Sequence, residues 1–286
     1  MTALRVAFQG VAGAYSESAA AALFPSATLL PHASFDAAFA ALRDAAADAA
    51  VVPVENSYAG PVADVFDLLR GDERIRVLAE ALVRVRHCLL GPPGATLGGV
   101  RAARSHPQAL AQSDAFLRER GIRAEIAFDT AGAAAEVAER GDPAIAAIAS
   151  RRAAERYGLT VLAEDIESAA DNITRFLAVA RDAAHAAGVP AALRAGPPKT
   201  SLAFTALNVP GALVRALQPF ATAGVQLSRI ESRPSRVAAW DYVFYVDFEG
   251  DPAVAPAAEA LALMRHACAW VQVIGTYPAA TTVIDP

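Results

Sequence analysis

The first 80 residues alternate between short apolar runs and amphipathic stretches. Val6-Ala7-Phe8 reads as a strand ended by Gln9-Gly10, and the alanine-rich stretch from Ser16 to Phe24 reads as a helix stopped by Pro25. Phe35 to Ala46 has the spacing of a second amphipathic helix, and Ala49 to Val54 is a buried-type strand. Ala79 to Leu90 reads as one long strand, closed by the turn Gly91-Pro92-Pro93-Gly94. Further strands are predicted over 100–104, 124–128, 144–149 and 175–180. Helices are predicted over 107–120, 131–139 and 151–157, with a return through 159–164. Strand alternating with helix predicts an α/β domain with a largely parallel sheet.

The rhythm changes after Arg181. Residues 181 to 198 are rich in Ala, Gly and Pro, lack periodicity and read as a linker. Ser201 to Val209 is strand-like, and Pro210 suits the first turn of a helix whose stripe is Leu213, Leu217 and Phe220, with Gly224 placed to end it. Val225 to Glu231 and the period-two run from Tyr242 to Phe248 predict two strands. A helix marked by Ala257, Leu261, Met264 and Cys268 follows, then a strand over 270–277. The order βαββαβ is that of a ferredoxin-like module, and such small sheets often pair edge to edge.

Composition narrows the class. The 286 residues are 55% hydrophobic and 19% charged, enough for packed cores in two domains. The net charge of −5 and the lack of a long basic run give no nucleic-acid footprint. Cys88 and Cys268 are far apart and form no zinc or disulfide framework. No signal peptide and no membrane-length apolar run is read, so a cytoplasmic protein with no membrane partner is expected.

Four polar segments fall at strand ends or helix starts, where open α/β sheets gather ligands. Gln9-Gly10-Val11-Ala12-Gly13-Ala14-Tyr15-Ser16 could present backbone N–H groups to an anion, or be a strand-to-helix turn capped by Ser16. Glu55, Asn56 and Ser57 end a buried strand, and in isolation a capping role for Asn56 or Ser57 is preferred. Ser105-His106-Pro107-Gln108 opens a helix, where His106 is a cap or at most a binding residue and the Gln108 amide lies near the positive end of the dipole. Asp171-Asn172-Ile173-Thr174-Arg175 leads into an apolar strand. An Arg there needs a partner, either an anionic ligand or a carboxylate such as Glu55. No nucleophile–base pair, phosphate loop or metal-ligand set is present, so no cofactor and no metal is implied.

Taken together the segments resemble the prephenate dehydratase family. The runs Phe8-Gln9-Gly10…Gly13-Ala14-Tyr15-Ser16-Glu17, Pro53-Val54-Glu55-Asn56-Ser57…Gly60, Ser105-His106-Pro107-Gln108-Ala109-Leu110 and Asn172-Ile173-Thr174-Arg175-Phe176 stand in that family's order and at its distances. His87-Cys88-Leu89-Leu90 also fits. Lys199-Thr200-Ser201, Pro210-Gly211-Ala212-Leu213 and Glu231-Ser232-Arg233-Pro234 resemble the attached ACT regulatory domain. Pro61, Ser113 and Ser168 depart from the usual residues, none at an expected acting position. No chorismate mutase segment precedes the motifs, so a monofunctional enzyme is expected.

The resemblance implies a bilobal catalytic domain like periplasmic binding proteins over 1–182, with lobes of roughly 1–79 plus 163–182 and 80–162. A linker over 183–198 and an ACT domain over 199–278 follow. It implies loss of water and CO₂ from prephenate, with Thr174 assisting the departing hydroxyl and Glu55, Asn56 and Gln108 ordering substrate and proton network. Arg175, Ser16, Ser57, Ala14, Tyr15 and His106 would bind substrate. Phenylalanine would bind between ACT domains, with Asn208, Gly211, Ala212 and Leu213 on one side and Glu231, Ser232, Arg233 and Pro234 as the second contact region. A homodimer or homotetramer is expected. Two readings compete: an arogenate dehydratase, which acts on the amino analogue, and a non-catalytic sensor on the same fold. A secreted solute-binding protein lacks the signal peptide it would need.

Overall fold

The computed structural model describes residues 3–169, 171–235 and 241–285; Met1 and Thr2, read as running into the first strand, lie outside them. The chain forms two compact units. One comprises Met1–Val62, Ala81–Phe176 and Thr282–Pro286, the other Ala63–Glu80 and Leu177–Thr281.

The first unit opens with β1 (Arg5–Gln9), α1 (Tyr15–Leu23), β2 (Thr28–His32), α2 (Phe35–Arg43), β3 (Ala49–Asn56) and β4 (Gly60–Pro61). After α3 (Ala63–Gly71), which belongs to the second unit, β5 (Arg76–Arg84) leads into a second lobe. That lobe contains β6 (Cys88–Gly91), β7 (Ala102–Ser105), α4 (Pro107–Gln112), α5 (Asp114–Glu119), β8 (Arg123–Ile126), α6 (Thr130–Arg140), β9 (Ile145–Ala149), α7 (Arg151–Tyr157) and β10 (Thr160–Ala163). The chain returns to the first sheet as β11 (Ile173–Ala180).

The two sheets repeat one winding. Their orders are β5-β11-β3-β1-β2 and β10-β6-β9-β7-β8. In each, one strand, β1 or β7, lies between the two strands that follow it in sequence and parallel to both. The loops after β1, β3, β7 and β9 therefore leave the carboxyl ends of parallel strands beside the point where the order reverses, the ligand-gathering position of open α/β sheets. The α/β, two-lobed class expected from the sequence is the one observed. Along β3 the side chains of Ala49 to Val52 and of Val54 are all buried, as a central strand covered on both faces requires. The second lobe packs largely on alanines. Ala133, Ala134, Ala153 and Ala154 bring α6 and α7 close to a sheet that contributes Leu90, Ala147 and Ala149.

Two sequence expectations are corrected here. The long strand over 79–90 is two strands, β5 and β6, parted at 85–87 where the chain crosses between lobes. That crossing is paired with the returning one. Val85 N–H donates to the Asn172 carbonyl at 2.8 Å, and Ile166 N–H to the His87 carbonyl at 3.0 Å. The alternation of buried and exposed positions continues through the crossing, with Val85 and His87 buried and Arg86 exposed, so periodicity could not reveal the break. The helix over 107–120 is likewise α4 and α5, parted at Ser113, a fully buried residue.

The second unit continues with β12 (Pro198–Ala206), α8 (Ala212–Thr222), β13 (Leu227–Pro234), β14 (Tyr242–Glu249), α9 (Ala257–Ala267) and β15 (Cys268–Pro278). Its sheet has the order β13-β14-β12-β15, with every adjacent pair antiparallel, so the βαββαβ expectation holds. Leu202, Phe204, Phe220, Val246, Phe248 and Met264 fill the core between sheet and helices. Pro210 lies outside α8 rather than in its first turn; the helix starts at Ala212, after Gly211 at φ 77°. The stretch expected as a featureless linker forms two short 3₁₀ turns, Ala183–Gly188 and Ala191–Arg194, with Val189 buried between them. A segment β16 (Val283–Ile284) returns to the first unit, parallel to β5 at Leu82 and Val83.

Candidate active site

The site is organised by Asn56, the last residue of β3. Its Oδ1 accepts the backbone N–H groups of Tyr58 at 3.1 Å and Ala59 at 2.9 Å, so the amide orientation is fixed by the turn that follows the strand. The NH₂ end must then donate. It reaches Asn172 Oδ1 at 2.8 Å and Thr174 Oγ1 at 3.0 Å, with the Ile173 carbonyl further off at 3.3 Å. Direction propagates from there. With its oxygen accepting, Asn172 donates through Nδ2 to Gln112 Oε1 at 3.1 Å, and the same oxygen lies 2.8 Å from His87 Nε2. An amide oxygen only accepts, so the proton of His87 sits on Nε2. Burial pushes the His87 imidazole below its ordinary value, which favours this neutral form.

The consequence for Thr174 is specific. Because its oxygen accepts from Asn56, its own O–H hydrogen is available to another acceptor. Gln108, from the first turn of α4 in the other lobe, adds its Nε2 to Asn56 Oδ1 at 3.3 Å. The second, third and fourth sequence segments thus meet at one point.

The remaining expected residues fall into two groups. Arg175 is buried, and its Nη1 lies 3.7 Å from Glu55 Oε2, the carboxylate pairing weighed above. Ser57 Oγ donates to the Asp171 carbonyl at 3.2 Å and accepts from Ile173 N–H at 3.0 Å, so it ties the β3 turn to the returning strand. Exposed His106 caps α4, its Nδ1 accepting from Gln108 N–H at 3.2 Å. The Gly10–Ser16 segment meets the network at its His87 end, through Tyr15, and not at Asn56 itself. The Gly13 N–H is taken by Glu17 Oε2 at 2.8 Å and the Gly13 carbonyl by Ser150 Oγ at 2.8 Å. Ser16 is not the cap of α1; Ala14 occupies that position and Ser16 is buried one residue into the helix. The Tyr15 hydroxyl donates to the Arg86 carbonyl and lies 3.3 Å from His87 Nδ1. Burial raises its pKa well above the ordinary phenol value.

Sequence reasoning gave no role to His87, Gln112 or Asn172. Gln112 had a usable signal, since it stands four residues after Gln108 on the same helix and therefore on the same face. Gln112 and Asn172 border a cavity of about 400 Å³ lined also by Tyr58, Gln108, Glu167 and Ser168, with Ala59, Ala111 and Ala169 as its apolar wall.

In the second unit, a concavity of about 270 Å³ lies at the β12–α8 turn, with Asn208, Gly211, Ala212 and Leu213 in its wall together with Asp241 and Tyr242. Glu231 to Pro234 lie on β13, an edge strand, outside this wall. There Arg233 pairs with Asp67 of α3 at 2.9 Å, and Glu231 pairs with Arg229.

The Thr174 hydroxyl and the carboxamides of Asn56, Asn172, Gln108 and Gln112 converge from both lobes beside a cavity, in a two-lobed α/β fold followed by a βαββαβ module with its own concavity. The family model for prephenate dehydratase matches residues 6–184, and that for the ACT domain matches residues 200–262. The chain is 40% identical over 290 residues to the arogenate dehydratase/prephenate dehydratase 2, chloroplastic, of Arabidopsis thaliana, covering 98% of this chain and 74% of that one. It is also 40% identical, over 276 residues, to the bifunctional N-acyl-homoserine lactone acylase/prephenate dehydratase of Komagataeibacter europaeus, covering 96% and 95% respectively. The solved prephenate dehydratase of Arthrobacter aurescens, in complex with L-Phe, matches with a TM-score of 0.84 at 32% identity, covering 96% of this chain and 90% of that one. The chain belongs to the prephenate dehydratase family, hydro-lyases of phenylalanine biosynthesis, and carries an ACT domain.

Proposed function

We propose that the chain converts prephenate to phenylpyruvate by coupled loss of CO₂ and water. The observation that carries this reading is the 3.0 Å hydrogen bond from Asn56 Nδ2 to Thr174 Oγ1. It leaves the Thr174 hydrogen to the hydroxyl that must depart from C4 of the ring. Threonine is a weak acid, so Thr174 hydrogen-bonds the leaving oxygen and passes a proton instead of supplying one through a low pKa. As the ring carboxylate leaves as CO₂, its electron pair enters the ring, the C4–O bond breaks, and the oxygen takes up a proton to become water. Aromatisation drives the step. Glu55, Asn56 and Gln108 order the substrate and the proton path, and Arg175, held at Glu55, places positive charge beside a dianion. Ser16, Ser57, Ala14, Tyr15 and His106 are proposed as the outer binding shell.

The second reading, the same elimination on arogenate, is favoured by the names of relatives such as the Arabidopsis protein. We further propose a catalytic region over 1–182, a connection over 183–198 and a regulatory region over 199–278, with phenylalanine as effector at the hollow by Asn208 and Gly211. A cytoplasmic homodimer or homotetramer is proposed as the working form. Following phenylpyruvate formation from prephenate by the purified chain tests the activity; no turnover of either substrate would refute it.

A further inference from the structure

The cavity beside the Asn56 network carries one charge among its described lining residues, that of Glu167. The carboxylate is fixed in place, since its Oε2 accepts the backbone N–H of His87 at 2.8 Å, a bond between the two crossings that join the lobes. His87 is buried and held through its ring by Gln112, which also lines the cavity, so the anchor is itself anchored. The other polar lining groups are a phenol, a serine hydroxyl and three carboxamides, all neutral. Ala59, Ala111 and Ala169 supply apolar wall, which weakens screening of any charge inside.

The two substrates of the proposed reaction differ at one group. The keto acid presents a carbonyl oxygen that only accepts, next to its carboxylate. The amino analogue presents an ammonium with three donors and a positive charge. A fixed carboxylate repels the first and forms a charge-assisted hydrogen bond with the second. We propose that Glu167 is a specificity-determining residue of this site: its carboxylate receives the α-ammonium of the amino analogue and discriminates against the α-keto acid. This rests on the dehydratase reading given above and favours its second substrate, arogenate, over prephenate.

The test is kcat/KM of the full chain on prephenate and on arogenate, for the wild type and for Glu167→Gln, which keeps the side chain's size and its acceptor for His87 N–H. The ratio of amino to keto kcat/KM is expected to fall roughly 10- to 100-fold, the effect of removing a hydrogen bond to a charged group, and to do so mainly through KM for the amino substrate. A ratio unchanged within about twofold, or equal losses on both substrates, overturns the proposal. Glu167→Asp keeps the charge but withdraws it, and is expected to lower the ratio less than Glu167→Gln does; equal losses in the two variants also overturn it. Wild-type chain inactive on both substrates removes the dehydratase reading itself, a result distinct from an unchanged ratio in an active enzyme.

Discussion

At the scale of single residues, the geometry of the site turns on which way the amide of Asn56 faces. Two backbone N–H groups hold its oxygen, so Asn56→Asp keeps that half of the network and abolishes the donating half. The second carboxylate oxygen then faces Asn172 Oδ1, acceptor against acceptor, and Thr174 loses the bond that aims its hydrogen. We expect kcat to fall by about 10²- to 10³-fold with a folded protein, the scale seen when one positioned donor is removed, as read by steady-state kinetics beside circular dichroism. His87 gives a pH prediction. Its pKa is lowered in the fold by burial, from 6.5, so the unfolded chain binds the proton more readily. Stability then rises with pH up to about 6.5 and is lost as the pH falls through and below that value. The melting temperature is expected to drop between pH 7 and pH 5, and to drop less in His87→Gln; equal drops would show that His87 is not the group responsible.

At the scale of elements, the loop between β1 and α1 shows how tightly the lobes are fitted. Gly13 has φ 89°, and a Cβ there would lie 2.9 Å from Ala153 Cα in α7. Gly60, at φ 77°, has nothing within 4 Å of its notional Cβ. Gly13→Ala therefore meets strain and a backbone clash, Gly60→Ala strain alone. Strain of this kind costs of order 1–3 kcal/mol, so both variants should melt lower, and Gly13→Ala lower than Gly60→Ala. The same loop marks the limit of what the sequence could tell. β3 was legible as a short unbroken apolar run, and helices such as α7 because their burial follows a local period. The Gly13 N–H was open to an anion on sequence grounds, and only the fold reveals Glu17 and Ser150 taking both of its polar groups. Asn56, Gln108 and Thr174 stood out by their place at strand and helix ends, but on the residues alone a cap was preferred for Asn56, and their expected roles came from the family resemblance. His87 and Asn172 were not, because their meaning depends on partners 25 and 60 residues from them in sequence at Gln112. The α3 helix and the short strands β2, β4 and β16 were missed outright. β4 and β16 are two-residue pairings, too short for any periodicity to register.

At the scale of the whole molecule, the chain joins a catalytic fold to a ligand-sensing one, and thermodynamic linkage makes their coupling measurable. If phenylalanine binds the native ACT domain, it stabilises the protein by about 2.7 kcal/mol at a hundred times its Kd. Calorimetry should record heat of binding and a melting temperature that rises with phenylalanine; no heat and no shift would remove the effector role. Any change that phenylalanine makes in substrate affinity must be matched by an equal change that substrate makes in phenylalanine affinity. Sedimentation with and without phenylalanine reports whether a dimer or tetramer is the responding form. The chemistry proposed is more local: the Thr174 hydroxyl is proposed to act on the departing oxygen. It is tested most directly by kcat on prephenate for Thr174→Ala and Thr174→Ser, with substrate affinity measured alongside. Alanine is expected to lose kcat by a factor on the order of 10² or more with affinity little changed, and serine to recover much of the loss. An alanine variant with near-normal kcat would contradict it.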